Sequence, residues 1–136
     1  MFLCPDGRVI GAPDGLDLEL SAAERMPPEV AVAGRLEAWK QAIATAVSVP
    51  GCPHWILGVV AAFAGPIIAL TGVDTCGINL SGMTSSGKST AQRLAASAWS
   101  TPDIRKPGLC QSARATDNAI AALANRAAGT VLCLDD

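Results

Sequence analysis

Charge is the first scarcity in this 136-residue chain. Only 16% of its residues are Asp, Glu, Lys or Arg, while half are hydrophobic. Mean hydropathy is +0.35. Disordered chains need the opposite balance, so that class is excluded. Basic residues are also in short supply: ten Lys and Arg against twelve Asp and Glu, a net charge of −2 and an isoelectric point of about 5.3. No global positive field draws in nucleic acid, and any such contact has to be local. Histidine occurs once, as His54, and the five cysteines (Cys4, Cys52, Cys76, Cys110 and Cys133) form no CxxC pair. Structural zinc is held by closely spaced ligand pairs, so this pattern argues against it. An odd number of isolated cysteines, mostly in apolar runs, reads as reduced core thiols of a cytoplasmic protein rather than a disulfide scaffold. Residues 1–10 have neither a basic stretch nor a small-residue cleavage site, so no secretory signal is expected. Internal repeats and low-complexity tails are lacking too.

What is present falls into three segments: 1–33, 34–73 and 74–136. In the first, Phe2-Leu3-Cys4 is expected to meet Val9-Ile10 across the turn sequence Pro5-Asp6-Gly7, a short β-hairpin. Pro27-Pro28 forbids a helix interior over 21–33. In the second, Leu36, Trp39, Ile43 and Val47 recur on one face, predicting a helix from about Gly34 to Val47, ended by Pro50-Gly51-Cys52-Pro53. The stretch 54–71 follows, and no charge falls between Lys40 and Asp74. Its apolar run Trp55–Leu70 would span about 24 Å as a helix at about 1.5 Å per residue. That is short of a hydrocarbon core of roughly 30 Å. Pro66 would kink it, and no Lys or Arg flanks it closely. A buried core helix is the expectation; a membrane helix and an interaction surface are the alternatives.

The third segment changes to strand, loop, helix. Cys76–Leu80 alternates like a strand, Ser81–Lys88 is rich in Gly and Ser, and Ser89–Trp99 reads as a helix with Ala91, Leu94, Ala95, Ala98 and Trp99 inside and Gln92, Arg93 and Ser97 outside. Residues 103–113 are loop with a possible short strand. A second helix is expected over Asp117–Ala128, with Ile120, Leu123, Ala124 and Ala127 inward, Thr116 as N-cap and Gly129 as the residue past its end. Thr130–Leu134 is an apolar strand. Helices alternating with strands predict an α/β fold with a parallel sheet.

Gly82-Met83-Thr84-Ser85-Ser86-Gly87-Lys88-Ser89 fits the phosphate-loop (Walker A) pattern G-x-x-x-x-G-K-[ST]. The glycines let the backbone turn its N–H groups inward, and with the following helix N-terminus these form an anion cradle. Lys88 brings a point charge to the β- and γ-phosphates, and Ser89 offers a hydroxyl to Mg²⁺. Gly82, Thr84, Ser85, Ser86, Gly87, Lys88, Ser89 and Thr90 are the candidate nucleotide-binding residues. Val131–Asp136 reads as a buried strand with two acids at its carboxyl end, where ligands bind in open α/β sheets (Walker B). Asp135 would hold Mg²⁺ and Asp136 would polarise the attacking water. Arg93, Arg105, Arg114 and Arg126 read as solvated, His54 as a helix-start or core residue, and Trp39 and Trp99 as core.

The runs FLCPDGRVIG, LEAWKQAIA, GPIIALTG, INLSGMTSSGKSTAQRLAASAW and SARATDNAIAALANRAAGTVLCLDD resemble, in order, the ATPase domain of Cch-like helicases, a bacterial family first catalogued as a domain of unknown function. The resemblance covers nearly the whole chain. It implies an ATP- and Mg²⁺-dependent AAA+-like P-loop NTPase core, incomplete here, preceded by the hairpin and the helical segment. It also implies a ring-forming homo-oligomer acting on DNA in a mobile element. Gly82, Gly87, Lys88, Ser89 and Asp135 match its pattern. Asp136 departs from it, since the family has glutamate there, and a carboxylate one methylene shorter puts hydrolysis in doubt. The family domain goes on to a sensor strand, lying between the acidic strand and the phosphate-loop strand, and to an arginine finger. Without that strand, apolar edges are expected to stay uncovered and solubility to be poor. The resulting expectation is an NTP-binding fragment of a DNA helicase or translocase. The alternatives are a non-catalytic interaction or membrane-associated module with a degenerate site, or a small-molecule kinase.

Overall fold

The computed structural model describes residues 2–3, 9–15 and 33–135. Two short strands, β1 (Phe2–Leu3) and β2 (Val9–Ile10), pair antiparallel, with Phe2 opposite Ile10. The two segments pair as expected; Cys4 and the turn Pro5-Asp6-Gly7 lie outside the described residues, as does most of 21–33. Helix α1 (Leu36–Val47) begins two residues later than expected. Its Trp39 ring packs edge-on against Phe63, and the indole N–H donates to Ser97 Oγ at 3.0 Å. Leu36, expected on the inner face, is instead exposed.

Helix α2 (Pro53–Thr71) starts with proline at its first position, where the missing N–H costs nothing, and ends on Gly72 in the left-handed conformation (φ 67°). Pro66 stands inside it without ending it. The expectation that α2 is a core helix needs correction. Its buried face is made of small residues, Gly58, Ala62 and Gly65, one and two turns apart. Ile56, Val60, Phe63, Ile67 and Leu70 form an exposed ridge. The reason is the closeness of the packing. A Cβ at Gly58 would run into the Ala91 carbonyl oxygen, and one at Gly65 into that of Thr130. Only the smallest side chains let the backbones approach so far, so the bulky ones are turned outward. Among the described residues no helix is long and apolar enough to cross a membrane.

Helix α3 (Lys88–Ala96) packs on α2, burying Ala91, Ala95 and Ala96. It is shorter than the expected 89–99; a turn carries the chain through Trp99. Strand β3 (Cys110–Ser112), helix α4 (Asp117–Arg126) and strand β4 (Cys133–Asp135) form a βαβ unit whose strands are parallel, with Cys110 beside Cys133 and Ser112 beside Asp135. The Thr116 hydroxyl caps α4 by accepting from the Ala119 N–H at 3.4 Å, and Gly129 takes a positive φ (73°) just past its end. Ala124, expected inside, is exposed. Ala62, Ala95, Ala96, Cys110 and Cys133 form the core, flanked by Ala98, Trp99, Ile104 and Val131.

The largest departure from expectation is residues 76–80, which belong to no strand. The residues of β4 alternate in where their backbone groups point. The Cys133 N–H bonds the Leu109 carbonyl at 2.8 Å, and the Asp135 carbonyl accepts from Ala113 at 2.7 Å. Leu134, between them, therefore turns its own groups to the opposite, open edge. No strand among the described residues occupies that edge, and 76–80 pairs with none.

Candidate nucleotide-binding site

The segment Gly82–Ser89 forms a tight loop running into α3. Gly82 (φ 150°) and Gly87 (φ 85°) both use backbone conformations that side chains disfavour. Ser85 has φ 63°, and among the described residues it is the one non-glycine with a positive φ, a strained position of the kind found at ligand-binding turns. The Lys88 side chain folds back over the loop. Its ammonium donates to the Gly82 carbonyl at 3.0 Å, the Met83 carbonyl at 2.8 Å and Ser86 Oγ at 3.4 Å. All three donors of the ammonium are thus spent on the loop's own oxygens.

The start of α3 is open. Gly87 is its N-cap and no side chain caps it; the first helical bond runs from the Ala91 N–H to the Gly87 carbonyl at 3.1 Å. The N–H groups of Lys88, Ser89 and Thr90, in the first turn, have no intrahelical acceptor, and the helix dipole places partial positive charge there. Thr84, Ser85 and Ser86 are exposed in the loop.

Two residues outside the motif lie against Gly87, and one of them, Trp55, holds the loop, a role its sequence position does not signal. The Trp55 indole N–H donates to the Gly87 carbonyl at 3.0 Å. A Cβ on Gly87 would lie 2.7 Å from Trp55 Nε1 and 3.1 Å from His54 Nε2. Glycine is therefore required at 87 twice over, by φ and by space. His54 Nε2 is shielded from solvent and has no hydrogen-bond partner among the described residues. A His-Trp pair at a helix start carries no local sequence signal for such a role, because the contact spans 32 residues.

Gln92 is a further omission. Periodicity put it on the solvated face of α3, yet its Nε2 donates to the Leu134 carbonyl at 2.7 Å. Its side chain thereby takes part of the open edge of β4. Cys133 Sγ also reaches back to the Gln92 carbonyl, at 3.4 Å. These bonds fasten β4 one turn into α3, so Asp135 sits at the same end of the sheet as Ser89 and Lys88. Asp136 lies outside the described residues. Beneath the acid, burial raises the Cys110 thiol pKa, helped by the Asp135 charge, and pushes that of Cys133 up to about 12. These two are the core thiols that were expected; Cys76 is exposed and Cys52 half-buried. Arg126, expected in solvent, has its Nε shielded and unpartnered among the described residues.

The sequence profile of one family, described as a domain of unknown function (DUF927), matches residues 2–136. The chain belongs to the DUF927 family. No curated protein and no solved structure matches it. Membership spans the hairpin, the helical segment and the loop-bearing βαβ region together, so all three are parts of one family unit.

Proposed function

We propose that this DUF927 chain binds a nucleoside triphosphate with Mg²⁺ through the loop Gly82–Ser89. The observation that carries the reading is the closed loop: Lys88 spans the carbonyls of Gly82 and Met83 above an uncapped helix N-terminus. Free amides, a helix dipole and one ammonium are the donor set that a polyphosphate needs. On binding, the Lys88 ammonium exchanges loop carbonyls for phosphate oxygens. The Ser89 hydroxyl and the Asp135 carboxylate are hard oxygen donors suited to Mg²⁺, which keeps most of its coordination as water. Bound Mg²⁺ supplies charge neutralisation between the phosphates. Asp136 is assigned to polarise water, and its short side chain implies slow turnover. The resemblance to Cch-like helicases extends the proposal to an ATP-driven motor of a mobile element that acts on DNA as a ring.

Titration of ATP·Mg²⁺ into the full chain and its Lys88→Ala variant tests this. Saturable binding that is lost in Lys88→Ala is the expected result; equal affinity in both overturns it. A second reading, a non-catalytic interaction module, is favoured by the exposed ridge of Ile56, Val60, Phe63, Ile67 and Leu70. It requires that ATP·Mg²⁺ leave the melting temperature unchanged.

A further inference from the structure

At the end of the sheet away from the phosphate loop, the segment leading into β3 and the last turn of α4 border an open cavity of about 360 Å³. Ile104 and Leu123 supply apolar wall, Gln111 lines it from β3, and Arg105, Lys106 and Arg126 bring three positive charges to it. These charges are not equivalent. The Arg105 guanidinium is held by the Asp103 carboxylate at 2.9 and 3.2 Å, a two-point pair that satisfies both groups. Lys106 and Arg126 line it with no side-chain acceptor among the described residues. A guanidinium with no carboxylate partner, beside a second cation, suits a planar or tetrahedral oxyanion gripped at two points.

We propose that this cavity is a binding site for a small phosphomonoester, held at its phosphate by Arg126 and Lys106. Its volume lies in the range of small-ligand pockets, about 300–1,000 Å³. The apolar wall of Ile104 and Leu123 suits a compact organic body beside the phosphate. No aromatic side chain lines the cavity on which successive bases could stack, and the chain as a whole is acidic, so a single strand of nucleic acid is the poorer occupant. The site is separate from the phosphate loop and does not depend on the nucleotide reading.

Ribose 5-phosphate is the probe, with ribose as the control, titrated calorimetrically into the full chain carrying Lys88→Ala, so that the phosphate loop contributes nothing. Saturable binding of ribose 5-phosphate without binding of ribose is expected, with affinity falling about tenfold or more in Arg126→Gln, a loss of about 1.4 kcal/mol. Lys106 is exposed, so Lys106→Gln leaves the fold intact and is expected to weaken binding in the same direction. Absence of saturable binding overturns the proposal, as does unchanged affinity in both variants. Displacement of the probe by a thymidine oligonucleotide at lower concentration also overturns it, in favour of a nucleic-acid backbone site.

Discussion

The indole N–H of Trp99 donates at 2.6 Å to the carbonyl oxygen of Ala62, the acceptor that Pro66, four residues further along α2, has no N–H to serve. A proline inside a helix leaves one carbonyl without its donor. Here that carbonyl faces the core rather than water, and Ala62 is fully buried. The bond from Trp99 removes the penalty and fixes the segment after α3 against α2.

Trp99→Phe keeps most of the ring but strands the carbonyl. The expected loss is about 1–3 kcal/mol of unfolding free energy by denaturant titration. In a Pro66→Ala background the helix regains its own donor, so the same substitution should cost measurably less. Equal costs in both backgrounds would show that the ring contact, not the hydrogen bond, carries the effect.

Glycines divide by what surrounds them. Gly58→Ala and Gly65→Ala each force a Cβ against backbone oxygen, which no rotamer change relieves. Each should cost about 1–3 kcal/mol or more, as overpacking does. Gly72→Ala meets open space and pays mainly for its left-handed φ, roughly 1 kcal/mol. Chemical denaturation of the three variants ranks them.

Trp55→Phe removes the donor to Gly87 without touching the phosphate-loop motif. Losing one bond of this kind is worth about 1 kcal/mol. If the loop is preorganised by Trp55, ATP·Mg²⁺ affinity should fall by about fivefold. The melting temperature should fall by about 3–5 °C. An unchanged affinity would assign Trp55 to packing alone.

The tight loop running into α3 was legible in the sequence because its determinants are local: glycines, lysine and serine within eight positions. The α4 cap at Thr116 and the pairing of the two hairpin segments were legible for the same reason. Gln92 and Trp55 were not, because each works through a partner far along the chain, Leu134 and Gly87. Alternation over 76–80 predicts a strand, but a strand exists only with a paired neighbour, and among the described residues 76–80 has none. The face of α2 was misjudged because hydrophobic size was taken as a guide to burial, whereas close approach of the backbones selects glycine and alanine.

Cys110 and Cys133 are buried and hold their protons well above neutrality, whereas Cys76 is exposed. Iodoacetamide at neutral pH should label Cys76 and spare Cys110 and Cys133 in the folded chain, read by mass spectrometry. Burial raises the Cys133 pKa in the folded state from its ordinary 9.0 to about 12. Its contribution to stability is therefore full below pH 9 and is lost as pH rises toward 12. The urea midpoint should decline over that window more steeply in the native chain than in Cys133→Ala.

The ridge along α2 has a practical corollary. Solvatochromic dyes that light up on bare hydrocarbon will fluoresce with the native chain, giving a signature otherwise associated with molten globules. Thermal transitions are better followed by the emission of Trp39, Trp55 and Trp99, which report on three separate contacts: with Ser97, with the loop Gly82–Ser89 and with the proline-bearing helix.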